Sequence, residues 1–282
     1  MKNLAIYLRE RFPVGVTATH AFATAAMLVG IAGAGTSLWL RVGMAVAIAV
    51  TFFFFMLRMR VTDEFKDWRH DKANYPNRPV QRGIINGRQL VGIGAIALTI
   101  ELVFAFATGA YAGHPAAIGW HVAILGYSVL THFEFFAKPF LERHFNIYFG
   151  LHQTIFVLYP VWLFAIFGTA PTPASLLGAA GFVGFMAAME IVRKYEIRRN
   201  PAGEIVLDTY LAVWKTGAFW AMWAITVAGG AALWAVADNW WHLFIAVVTA
   251  GALISVKKRT DAVRAAVAIG FIAQAAVMLL WA

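Results

Sequence analysis

Runs of about twenty apolar residues recur along this chain, separated by short polar breaks. A bilayer's hydrocarbon core is ~30 Å thick, and about 20 helical residues cross it. Backbone N–H and C=O groups inside it must be satisfied within each segment, so such a chain folds as a helical bundle. The 282 residues are 61% hydrophobic and only 13% charged, about half the charged fraction of a soluble domain. Apolar segments near residues 14–34, 38–59, 90–111, 115–136, 148–168, 174–193, 211–235, 239–256 and 262–281 predict nine spans. The expectation is an all-α polytopic membrane protein. It is a single domain over 1–282, a nine-helix bundle with a central cavity opening to the cytoplasmic side. Residues 1–12 are basic and amphipathic and read as an interfacial lead-in. The run after Pro13 has no cleavage pattern of a removed leader and reads as a first span.

Charge orients the spans. Lys2, Arg9 and Arg11 precede the first. The breaks after spans two, four, six and eight hold nearly all remaining Lys and Arg, ending with Lys257, Lys258 and Arg259. The other breaks hold none, apart from Arg41 just inside span two. This positive-inside pattern predicts a cytoplasmic N-terminus and a C-terminus on the opposite side. It also places two long polar loops, about 60–88 and 194–210, on the cytoplasmic face. The absence of targeting sequence fits a bacterial inner membrane. With no cysteine, disulfides and thiolate chemistry are excluded. The net charge of +9 belongs to these loops, and no basic stretch stands free of the membrane, which argues against nucleic acid as a partner.

The densest chemistry lies between Arg58 and Gly83, RMRVTDEFKDWRHDKANYPNRPVQRG. Asp63, Asp67 and Asp71 are spaced i, i+4, i+8, so on a helix they share one face. Stacked like charges repel by a few tenths of a kcal/mol per pair, and a divalent cation offsets that. Arg60, Lys66, Arg78 and Arg82 surround the carboxylates. Mg²⁺ takes one or two protein carboxylates plus phosphate oxygens and water, and Arg grips phosphate oxygens in pairs, so the stretch suits a metal bridging to a diphosphate. The plainer alternative is a solvated juxtamembrane loop with ordinary ion pairs.

Asp63-x3-Asp67-x3-Asp71 followed by Asn77-Arg78-Pro79-x3-Gly83 resembles the first aspartate-rich motif of the UbiA superfamily of intramembrane prenyltransferases. Nine helices, with the motif after the second, also match. The resemblance implies a Mg²⁺-dependent enzyme that holds an isoprenyl diphosphate in a bundle cavity, its head group at the cytoplasmic loops. Asp63, Asp67 and Asp71 then take the metal and diphosphate roles.

The counterpart after span six departs from the family's second acidic run. Glu190 stands at its first acidic position, but Lys194 stands one turn on, where a carboxylate is expected. Either Glu190 is a metal ligand with Arg193 and Lys194 neutralising the diphosphate, or the three form a helix-end salt bridge. Glu134 is a general base or cation stabiliser at the cavity, or simply a partner of Lys138. Glu101 is protonated or paired with another span. His20, His121 and His152 read as satisfied interior residues, since no zinc spacing such as HExxH is present.

The expected reaction is prenyl transfer. Asp63, Asp67, Asp71 and Glu190 hold Mg²⁺, while Arg60, Lys66, Arg78, Arg82, Arg193 and Lys194 bind the diphosphate. An aromatic or lipid acceptor captures the allylic cation, with Glu134 taking the proton, and membrane lipid surrounds the whole. Two alternatives share the site: an intramembrane terpene cyclase with no acceptor, and a non-catalytic lipid-binding or transport protein on the same scaffold.

Overall fold

From Ala23 onward the helix after Pro13 packs on all sides. In α2 (Val14–Ala32) every residue from Ala23 to Ala32 is buried, and most of that run is small and apolar. A helix that is apolar all round belongs in the interior. Small side chains let its neighbours approach closely, as small residues do between membrane helices. A methyl group built on Gly30 would lie 2.5 Å from the Met278 carbonyl oxygen of the last helix, so only glycine permits that approach.

The structure, a computed structural model, describes residues 2–281. A short lead-in helix, α1 (Lys2–Arg11), precedes α2. The first half continues with α3 (Leu38–Lys66), α4 (Trp68–Asn74), α5 (Gly87–Ala112), α6 (Pro115–His132) and α7 (Lys138–Arg143). Next come α8 (Phe145–Gln153) and α9 (Ile155–Phe167), then α10 (Pro173–Arg193) and α11 (Tyr210–Trp214). The chain ends with α12 (Thr216–Ala237), α13 (Trp240–Val256) and α14 (Thr260–Trp281). No residue among those described lies in an extended sheet strand; Arg199 and Ile205 form an isolated antiparallel bridge.

Seven segments are long and apolar enough to cross a membrane: α2, α3, α5, α8 with α9, α10, α12 and α14. Of the nine expected spans, the other two are α6, which carries His121 and His132, and α13, 17 residues long. α2 packs against α3, α9, α10 and α14; α5 lies on α3, and α12 on α10. Local signals set several ends. Asn86 with Gln89 and Thr172 with Ser175 form reciprocal capping boxes at the starts of α5 and α10. Gly113 and Gly168 end α5 and α9 in the left-handed conformation that glycine adopts without strain.

Two boundaries differ from the sequence reading. The polar stretch at 60–88 is not all loop. α3 runs on to Lys66, and α4 follows after a break at Asp67. Backbone bonds Asp67 N–H to Asp63 C=O and Asp71 N–H to Asp67 C=O, 2.9 and 2.8 Å, keep helical register across the break. Arg60, Lys66, Arg11 and Arg78 all pair with acids of this stretch and offset its like-charge repulsion. In the other case α6 stops at His132, so Glu134 lies beyond the span rather than in it. Glu134, Phe135 and Phe136 form a turn with φ of 48, 53 and 57°, a strained conformation for non-glycine residues.

Long-range ion pairs show that the basic breaks meet at one end of the bundle. Lys66 Nζ lies 3.9 Å from Glu134, His70 Nε2 lies 3.6 Å from Asp208, and Arg264 lies 2.7 Å from Glu196. Glu101 is neither isolated nor left without a partner: Arg58 and His121 pair with it inside the bundle.

Candidate functional site

The three aspartates of the first motif keep their spacing but not their equivalence. Asp63, on the last turn of α3, faces Lys66 Nζ at 3.6 Å and keeps a third of its side chain exposed. Asp67, at the break, has no ion pair or side-chain hydrogen bond among the described residues. Burial raises its carboxyl above the usual range; Asp63 and Asp71 push it further, while Lys66 and Lys194 oppose. Asp71 is different. Its side chain is 3% exposed and is held by a close ion pair with Arg78 and by Arg11 at 3.6 Å. Arg78 in turn lies over the Tyr75 ring, 3.8 Å from its centroid.

The second motif comes from the last turn of α10. Arg193 donates from Nε and Nη2 to the two oxygens of Glu190, both at 2.8 Å. The Tyr210 hydroxyl donates to the same carboxylate at 3.2 Å, and Lys194 Nζ lies 3.8 Å away. Burial lowers the Lys194 ammonium, with Glu190 opposing. Arg193 and Lys194 are within electrostatic reach of Asp63, so the two motifs face each other across one locus.

Other side chains complete this locus. Tyr148 and His152, one turn apart on α8 with their rings tilted and 4.0 Å between centres, lie within electrostatic reach of Lys66 and Asp63. His20 of α2 reaches Arg193 and Glu190 electrostatically, and its ring stacks on Phe52. Below it, Phe52, Phe55, Phe156 and Tyr159 form a continuous aromatic cluster. Glu134 sits between Lys66 and Lys138, 3.9 Å from each, with one buried oxygen that has no hydrogen bond. Burial raises its carboxyl. Asp208 ties the second loop to the first through Tyr75 (2.7 Å) and His70 (3.6 Å). Burial acts to raise the Asp208 carboxyl, but the bonds from His70 and Tyr75 outweigh it and hold the group low.

Of the sequence candidates, Asp63, Asp67, Lys66, Glu190, Arg193, Lys194 and Glu134 are thus brought together. Three basic candidates have ion-pair partners of their own: Arg60 pairs with Glu64 at 3.0 Å while staying within electrostatic reach of Asp63, Arg82 pairs with Glu10 at 2.7 Å, and Arg78 with Asp71. Tyr148 was not singled out by the sequence. Its only signal is the one-turn spacing to His152 in an otherwise apolar segment.

A cavity of about 370 Å³ opens beside this locus, lined by Phe65, Lys66, Trp68, Arg69, His70 and Lys138. Among the described residues no three acidic or histidine side chains converge as a ready metal cage. Mg²⁺ does not need one, because diphosphate and water supply most of its ligands. The accessible Asp63 and the unpaired Asp67 fit that requirement.

No protein-family model matches the sequence, and no curated protein does. A solved structure of a digeranylgeranylglyceryl phosphate synthase in membranes superposes over 98% of this chain and 99% of its own. The TM-score is 0.53 at 17% sequence identity. The chain shares the fold of that membrane enzyme and, with its long apolar helices, is an integral membrane protein.

Proposed function

We propose that this protein is an intramembrane prenyltransferase that ionises an isoprenyl diphosphate and passes the prenyl group to an acceptor. One observation carries the reading. Carboxylates at the end of α3 and cations at the end of α10, from opposite halves of the chain, face each other at the basic end of a bundle with a prenyltransferase fold. The positive-inside pattern makes that end cytoplasmic.

In this reading the diphosphate lies between the two walls. Asp63 and Asp67 would hold Mg²⁺, which when bound would supply Lewis-acid neutralisation of the leaving group. Arg193 and Lys194 take up the charge that develops on the departing diphosphate; such preorganised stabilisation is the largest catalytic term in a dry site. The allylic C–O bond breaks with its electron pair on the diphosphate. The aromatic cluster beneath, Phe52 and Phe55 foremost, offers ring faces to the carbocation and to the chain behind it. Glu134, whose burial favours a bound proton, receives the proton the acceptor releases on attack.

The solved structure is named for a glyceryl phosphate bearing two geranylgeranyl chains, so a lipid acceptor belongs in the first assay beside aromatic ones. The test is diphosphate release and product identification with geranyl to geranylgeranyl donors, with and without Mg²⁺. Prenylated acceptor is expected. Wild-type turnover in Asp67→Ala overturns the assignment. Cyclic hydrocarbon formed without acceptor identifies the cyclase alternative, and donor binding without release the non-catalytic one.

A further inference from the structure

The two walls are chemically unequal. On the α3 wall, Asp67 has no ion pair among the described residues and Asp63 keeps a third of its side chain exposed beside Lys66, whereas Asp71 is turned into Arg78 and Arg11. On the α10 wall both oxygens of Glu190 are taken. Arg193 occupies them as a bidentate pair at 2.8 Å, and Tyr210 adds a third bond. Two charge-assisted bonds in parallel are among the strongest side-chain contacts, so a metal bound there must displace them. The same pairing fixes the guanidinium in one orientation. Arg193 still has a side chain 55% exposed and an Nη1 that makes no hydrogen bond among the described residues. Lys194 stands next to it, within electrostatic reach of Asp63 and Asp208. The α10 wall therefore presents net positive charge to whatever polyanion the α3 wall holds.

We propose that the site takes a single divalent ion, on Asp63 and Asp67, and that Arg193 and Lys194 contact the diphosphate directly, with Glu190 positioning Arg193 rather than ligating metal. This rests on the diphosphate reading above. Arginine matches phosphate geometry bidentately and lysine supplies a compact charge, so the pair replaces a second ion on that wall.

The test is Mn²⁺ titration of the full-length protein in detergent, followed by electron paramagnetic resonance, with and without inorganic diphosphate. One Mn²⁺ per chain is expected. Asp67→Asn weakens Mn²⁺ binding by at least ~tenfold. Glu190→Gln leaves Mn²⁺ affinity within about twofold but weakens diphosphate binding several-fold, because Arg193 is no longer fixed. Lys194→Met, which leaves the Glu190–Arg193 pair intact, weakens diphosphate binding ~tenfold at unchanged metal stoichiometry. Two Mn²⁺ per wild-type chain, or loss of Mn²⁺ in Glu190→Gln, overturns the proposal while leaving the diphosphate reading in place. Wild-type protein that binds neither probe overturns both.

Discussion

Arg58 of α3 holds Glu101 of α5 through two hydrogen bonds, 2.7 and 3.1 Å, in the buried interior of the bundle. Ser128 of α6 accepts a third bond from Arg58 at 3.0 Å, and His121 Nε2 lies 3.4 Å from Glu101. Three helices are thus tied at a depth where no solvent replaces a lost partner. Removing one member of such a pair strands a buried charge, at a cost of about 3–5 kcal/mol. Glu101→Ala therefore lowers the thermal unfolding midpoint in detergent sharply. Arg58→Met combined with Glu101→Leu recovers most of the loss, because an apolar pair of similar volume leaves no charge behind. A Glu101→Ala protein as stable as wild type shows that the pair contributes no net stability.

The aspartates separate by stability and activity. Asp71 is buried against two arginines, whereas Asp67 has no ion pair or side-chain hydrogen bond among the described residues. Asp71→Ala strands Arg78, while Arg11 keeps Glu64 at 2.8 Å, and destabilises the basic end by about 3 kcal/mol, read as a fall in melting temperature. Asp67→Ala relieves like-charge repulsion, so it melts no lower than wild type and loses prenyl turnover by at least ~100-fold. Equal melting losses in both variants contradict this division.

Tyr75 and Asp208 join the two polar loops by one charge-assisted hydrogen bond of 2.7 Å. Tyr75→Phe keeps the ring under Arg78 and removes only that bond, worth about 1.5–3 kcal/mol. The loop from Lys194 to Thr209 then opens more often. Hydrogen exchange at Val206 N–H, bonded to Arg198 C=O at 2.9 Å, accelerates by ~tenfold or more. Unchanged exchange there shows that the loop's other contacts, His70 with Asp208 and Arg264 with Glu196 among them, hold it without this bond.

How far the sequence led can be judged from particular residues. Asp63, Asp67 and Asp71 carried their geometry openly, because a four-residue period needs only helical backbone to become a shared face. The meeting of basic breaks at one end was equally open, since charge alternation fixes the side on which each loop emerges. The partners were not. Glu101 reaches Arg58 across 43 positions, and Arg82 is drawn to Glu10 across 72, which no local spacing announces. Helical spacing alone offers Arg193 and Lys194 to Glu190 equally, and it announces neither the bidentate grip of Arg193 nor the bond from Tyr210. The left-handed turn at Glu134–Phe136 contains no glycine or asparagine, so nothing in its composition signals it.

That turn bears on pH dependence. Burial raises the Glu134 carboxyl, with Lys138 and Lys66 opposing, and one oxygen lacks a hydrogen bond. If Glu134 takes the acceptor's proton, its ionised form is the active one. Activity then falls as pH drops through its folded value, which lies above the ~4.3 of a free glutamate. The acid limb of kcat/KM accordingly sits higher than an exposed carboxylate gives. The sign for stability is separate. A carboxyl raised by folding binds its proton more tightly in the native state, so Glu134 favours the fold at low pH and ceases to as pH rises through that value. Glu134→Gln removes the acid limb, lowers kcat by ~100-fold or more and flattens this part of the stability profile. Measuring kcat/KM and melting temperature over the same pH series checks both. An acid limb that survives in Glu134→Gln assigns the proton to another group, with Tyr148 and His152 beside Lys66 the next to replace.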